Sequence, residues 1–128
     1  MIGYVTLGTN NMQKALAFYD ALLAELNAPR FMEGDDFVAW APGFDKPGLA
    51  ITQPFDGKPA TVGNGVMVAL EASSPAEVDR IYKKAIELGA TDEGAPGPRQ
   101  IPGFYAGYFR DLDGNKLNIF HMTMPANS

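Results

Sequence analysis

The side chains able to do chemistry in this chain are few, and what is missing narrows the options first. There is no cysteine among the 128 residues, so a thiolate nucleophile, a disulfide framework and a Cys-based zinc site are all excluded. The single histidine, His121, stands three positions beyond Asn118. On a regular strand an odd offset turns side chains to opposite faces, so the two are expected to point apart. The run Arg110-Asp111-Leu112-Asp113-Gly114-Asn115 gathers two carboxylates. Carboxylates ahead of a glycine commonly bond their own backbone, and fixing a turn is the preferred role for Asp111 and Asp113. Arg110 is placed either to attract an anionic ligand or to pair with one of the fifteen acidic residues. Candidates to line a ligand cup are aromatic, thioether and amide side chains on strand-like segments: Tyr4, Trp40, Met67, Tyr105, Tyr108, Asn118 and Phe120. Apolar and aromatic walls with a few hydrogen-bonding tips suit a small organic ligand.

The elements that must position these residues come in two copies. A shift of 63 positions lays Val5, Leu7, Phe18, Tyr19, Leu22 and Leu23 on Val68, Leu70, Ile81, Tyr82, Ala85 and Ile86. Each half opens with a short apolar strand and continues into a helix that buries the same stripe. Residues 2–8 alternate as a strand, and Asn10 or Asn11 can cap a helix over 12–25. Two strands are expected within 31–41 around a turn at Gly34-Asp35-Asp36, and another at 49–53; residues 42–48 are dense in turn formers. In the second half, 67–71 is a strand, Ser73 or Ser74 caps the helix, Glu77 supports a capping box and Gly89 ends it. Residues 93–103, with three prolines and three glycines, read as a long loop. Strands at 105–110 and 116–121 enclose the turn Asp113-Gly114-Asn115. The expected fold class is α+β, two tandem βαβββ modules forming a cupped mixed sheet with the helices outside. The expected domain is single, with module one at 1–54, a connector at 55–64 and module two at 65–123.

Composition bounds the function classes. An apolar fraction of 46% and a charged fraction of 20% are those of an ordinary globular protein. The net charge of −5, with ten scattered Lys and Arg, argues against a nucleic-acid partner. An acidic chain suits cationic ligands instead. No apolar run approaches a membrane span, and the opening MIGYVTLGTNN has neither the basic start nor the apolar stretch of a secretory leader. A cytoplasmic location fits the absence of cysteine.

The doubled pattern, with GYVTLGTNNMQKALAFYDALLA at 3–24, PFDGKPATVGNG at 54–65 and YFRDLDGNKLNIF at 108–120, resembles the glyoxalase / bleomycin-resistance / extradiol-dioxygenase (vicinal oxygen chelate) superfamily. The resemblance implies a ligand cup between the modules and four metal-ligand positions, on the first and last strand of each half. Matched by pattern these are Tyr4, Ala50, Met67 and Asn118, with Asn118 where the family's ending usually places a glutamate. A phenol, a methyl, a thioether and a carboxamide offer a divalent ion little to grip, so no metal and no cofactor is expected. The stretch 100–105, Gln-Ile-Pro-Gly-Phe-Tyr, also lacks the histidine that a subset of the family carries there. The resemblance therefore implies a homodimer that binds or sequesters a small organic molecule. The alternatives are a lactoylglutathione-lyase-like or dioxygenase-like enzyme, or one acting without metal through Tyr4 and Tyr105, and a regulatory or interaction module whose cup is filled.

Overall fold

The structure is a computed structural model that describes residues 1–123. The chain divides after Asn64 into two compact units, and each is a βαβββ module. The first contains β1 (Tyr4–Gly8), α1 (Met12–Ala24), β2 (Arg30–Glu33), β3 (Phe37–Trp40) and β4 (Gly48–Thr52). Its sheet has the order β1-β4-β3-β2, with β1 parallel to β4 and the other pairs antiparallel. The second contains β5 (Val68–Glu71), α2 (Pro75–Glu87), β6 (Thr91–Pro98), β7 (Phe104–Arg110) and β8 (Lys116–Met122). Its sheet repeats the same plan as β5-β8-β7-β6, again with one parallel pair. The repeat read from the sequence is thus a repeat of topology.

Each helix forms where local sequence allows it and is fixed by its caps. The Asn11 side chain accepts the Lys14 N–H at 3.0 Å, supplying one of the acceptors that a helix start lacks. At the far end Asn27 takes φ +56°, and the Ala28 N–H reaches back to the Leu23 carbonyl at 3.0 Å before Pro29. Ser74 caps α2 through the Glu77 N–H, Pro75 occupies the first turn, and the Glu77 carboxylate accepts from the Ser73 N–H at 3.1 Å. Gly89, at φ +107°, closes that helix in a conformation a side chain would resist.

Burial decides which face of each sheet the helix covers. Ala15, Phe18, Tyr19, Leu22 and Leu23 of α1 are buried with Leu7, Val38, Trp40, Leu49 and Ile51. The Tyr19 and Trp40 rings lie 5.8 Å apart, which places Trp40 and its ladder partner Leu49 on the helix side. In the second unit Val78, Ile81 and Ala85 are buried with Phe109, Leu117 and Ile119. The stripe is narrower here: Ile86, which the repeat aligns with buried Leu23, is 37% exposed. Fully burying such side chains contributes about 1.5–3 kcal/mol each, which makes the helix side of each sheet the main source of stability.

One expectation fails. Residues 93–103 do not form a continuous loop, because β6 runs through Thr91–Pro98. It is an edge strand, where proline's missing N–H breaks no ladder on the outer side, and its register against β7 slips twice between Asp92 and Gly97. Beyond β6 the segment 99–103 turns back to β7, closed by the Arg99 N–H donating to the Phe104 carbonyl at 2.9 Å.

Candidate functional site

The face of each sheet away from its helix is where ligand-directed side chains would stand, and strand parity assigns them. In the first unit Thr6 pairs with Ala50, and Ala50 with Ala39, so Tyr4, Thr6, Gly48, Ala50, Phe37 and Ala39 share the helix-free face. Its floor is small, and Ala39 and Ala50 are fully buried. Its walls are aromatic: Tyr4 and Phe37 meet edge to face at 5.9 Å, and Phe31 meets Phe44 likewise at 6.3 Å. Phe31 reaches this face through the register shift between Arg30 and Met32. Its ring takes the space above Gly48, where an added Cβ would come within 2.9 Å of it. Tyr4 remains 49% exposed and Phe44 93% exposed, a surface both apolar and open.

In the second unit the same face gathers Phe104, Ala106, Tyr108 and Arg110 from β7 with Lys116, Asn118 and Phe120 from β8. Ala69 joins from β5 as the partner of Asn118. Phe104 and Phe120 stack at 5.6 Å. Asn118 is 2% exposed, and its carboxamide Oδ1 is buried without a hydrogen-bond partner. A buried acceptor left in this state costs stability unless something completes it. Beside Tyr108 a groove of about 690 Å³ opens, lined by Pro98, Arg99, Gln100, Ile101 and Phe104. Its volume lies within the range of small-molecule sites. Met67 is 40% exposed and lies one residue ahead of β5.

Two residues expected on these walls stand on the other side. Trp40 is buried against α1, and its indole N–H donates to the Asp20 carboxylate at 2.9 Å. Tyr105 sits on the helix face of β7, where its hydroxyl donates to Asp79 of α2 at 2.7 Å. Tyr108 is three positions away, and the odd offset separates the two across the sheet. The same parity turns His121 from Asn118, and its Nδ1 lies 3.2 Å from the Ala72 carbonyl.

The charged groups divide in the same way between scaffold and open face. On the helix side Asp20 accepts from both Arg30 and Trp40. The bonded Arg30 guanidinium holds the Asp20 carboxyl below the ordinary value, and that carboxylate raises Arg30 in turn. Burial, reinforced by a 2.5 Å hydrogen bond to Asp92, pushes the Tyr82 hydroxyl up to about 12. The bond to Asp79 raises Tyr105 as well. Asp111 does what the turn requires: Oδ1 accepts from the Asp113 and Asn115 N–H groups, each at 2.9 Å, and Oδ2 accepts from the Asn115 amide. Arg110 is paired with Glu93. Arg99, which the loop reading of 93–103 passed over, fixes its Nη2 on the carbonyls of Ala95 and Ala106 and lies 5.1 Å from the centre of the Tyr108 ring. One cation amid the apolar residues at 98–105 was the available signal for it.

The metal implied by the resemblance does not fit the residues present. Tyr4 offers a phenol, Ala50 no donor, Met67 a thioether and Asn118 one neutral oxygen. Among the described residues no three His, Cys, Asp or Glu side chains come together as a metal set. A divalent ion stripped of water needs anionic or imidazole ligands, and these four positions supply neither. No helix of the described residues is long and apolar enough to cross a membrane.

The family described as the Glyoxalase/Bleomycin resistance protein/Dioxygenase superfamily matches residues 1–119. A glyoxalase/bleomycin resistance protein from Albidiferax ferrireducens is 33% identical with a TM-score of 0.87, the match covering 96% of this chain and 99% of that one. A glyoxalase/bleomycin resistance protein/dioxygenase family enzyme from Burkholderia phytofirmans shares the fold at 17% identity and a TM-score of 0.76, over 94% and 98% of the two chains. A lactoylglutathione lyase from Agrobacterium tumefaciens shares it at 21% and 0.70, over 94% and 92%. No curated protein matches the chain.

Proposed function

Because the chain belongs to the Glyoxalase/Bleomycin resistance protein/Dioxygenase superfamily, we propose that it keeps the family's ligand-holding faces without the metal and binds or sequesters a small organic molecule. The observation that carries this reading is Asn118. It stands where the family ending usually has a glutamate, yet its carboxamide oxygen is buried and unpartnered. A ligand N–H or O–H donated to that oxygen would relieve a cost the free protein bears. Tyr4, Met67, Tyr108 and Phe120 supply surrounding contacts, while Trp40 and Tyr105 belong to the scaffold. Metal-dependent lyase or dioxygenase chemistry needs an ion to polarise substrate oxygens, and the four positions give no set to hold one. The protein acts as a homodimer in the cytoplasm: dimerisation follows from the family resemblance, and the location fits the lack of cysteine.

A thermal-shift screen of chelator-treated protein against a library of small organic molecules tests the reading. A ligand present at a hundredfold excess over its Kd stabilises by about 2.7 kcal/mol. At this chain length that is a rise of roughly 10 °C in Tm. A library that contains no stabilising compound, or stabilisation that appears only when zinc, nickel, iron or manganese is added, would count against it.

A further inference from the structure

Among the described residues two buried side-chain polar atoms lack a hydrogen-bond partner, Arg99 Nε and Asn118 Oδ1. Both flank one ring. Asn118 is the ladder partner of Tyr108, and the Arg99 guanidinium lies over Tyr108. The two are opposite in kind, an N–H donor and a carbonyl acceptor. The guanidinium is held by the carbonyls of Ala95 and Ala106, at 2.5 and 2.7 Å, so its direction is set before anything binds. Both acceptors are neutral, and the positive charge is left uncompensated. On the same ring stands a second cation, with Lys116 Nζ 5.6 Å from its centre. Neither Arg99 nor Lys116 has a carboxylate partner among the described residues, whereas neighbouring Arg110 is neutralised by Glu93. Glu71 of β5 shares this face as the ladder partner of Phe120, one same-face pair further along the strand than Asn118. Around Tyr108 the field is therefore positive, although the chain as a whole carries −5.

Resting on the reading above, we infer that the ligand of this groove is an aromatic carboxylate that also carries a hydroxyl or amino donor. The carboxylate accepts from Arg99 Nε and faces the Lys116 ammonium, making charge-assisted bonds in a partly desolvated groove. The planar body lies against Pro98, Ile101 and Phe104, the apolar part of the lining. The donor reaches past Tyr108 to Asn118 Oδ1, which stands beside the groove and outside its lining. The overall acidity of the chain points toward cationic ligands, but the charges nearest the groove decide locally, because salt screens exposed charges more than about 10 Å away.

Isothermal titration of the full chain with three probes of one shape tests this. The probes are 6-hydroxy-2-naphthoate, the neutral 6-hydroxy-2-naphthamide and the cationic 6-(aminomethyl)-2-naphthol. The carboxylate is expected to bind at least tenfold more tightly than the amide and to weaken as NaCl is raised. Lys116→Gln is expected to cut that advantage threefold or more, and Arg99→Gln to remove it. Arg99 also ties β6 to β7, so Lys116→Gln, with circular dichroism confirming its fold, is the decisive variant. Amide or cation binding as tightly as the carboxylate would overturn the charge assignment and leave the small-molecule reading standing. An advantage untouched by Lys116→Gln would overturn it too. If none of the three bound, the inference would fail, and the library screen would decide separately whether small-molecule binding fails with it.

Discussion

Replacing Asn118 by leucine is expected to make this protein more stable and less able to bind. The two side chains share a branch at Cγ and two terminal heavy atoms, so the exchange conserves shape and creates no cavity. In the native protein the carboxamide oxygen sits at a position only 2% exposed, with no partner. An unmade hydrogen bond of that kind costs about 1–3 kcal/mol. Leucine removes the cost and adds up to about 2 kcal/mol of apolar burial. Allowing for the open edge of this face, the net gain should be about 2 kcal/mol, or roughly 7 °C in Tm. Asn118→Ala serves as the control, because the cavity it leaves offsets the relief and brings the change close to zero. Urea titration followed by tryptophan fluorescence measures the effect, since buried Trp40 is the single tryptophan. A loss of stability of about 1 kcal/mol or more in Asn118→Leu would show that the amide is bonded within the free fold. The argument from its missing partner would then collapse.

Asp20→Ala should cost about 1–2 kcal/mol, chiefly by leaving the buried Trp40 indole N–H without its acceptor; the half-exposed ion pair with Arg30 adds little, and urea unfolding measures the sum. The same carboxyl is held below its ordinary 3.8 in the folded state, so its contribution is complete above that pH and fades as pH falls below it. Acid melts of wild type and Asp20→Asn should therefore converge. Ultraviolet titration should find Tyr82 ionising late, near 12, and the stability it lends is present below pH 10 and lost between 10 and 12. A Tyr82→Phe variant should lack that late step, and an unchanged titration curve would refute the assignment. Gly48→Ala brings a Cβ within 2.9 Å of both the Phe31 ring and the Trp40 carbonyl. Because the carbonyl cannot yield, a loss of about 1–3 kcal/mol is expected in thermal melts.

Local signals carried most of the fold. Asn11, Ser74 and Gly89 cap the helices as their types suggest, and the turn around Asp113-Gly114-Asn115 closes β7 onto β8. Strand β6 stayed hidden because its prolines and glycines mimic a loop, and only pairing with β7 reveals an edge strand that tolerates them. The helix-free face that carries the candidate site was legible where parity could be counted from a firm strand. Asn118, Phe120 and Tyr108 share the helix-free face, and the odd offset that turns His121 away also separates Tyr105 from Tyr108. Trp40 was harder, since only tertiary contacts, its ring against Tyr19 and its bond to Asp20, show that it faces α1. The aromatic walls of Phe31, Phe37 and Phe44 depend on a register shift and a loop, which leave no periodic trace.

A crystal structure of the protein with a stabilising compound from the screen tests the central claim most directly. The account predicts a ligand N–H or O–H within about 2.7–3.2 Å of Asn118 Oδ1, with no metal ion between them. A compound bound elsewhere, with Oδ1 still unpartnered or met by a coordinated cation, would contradict it.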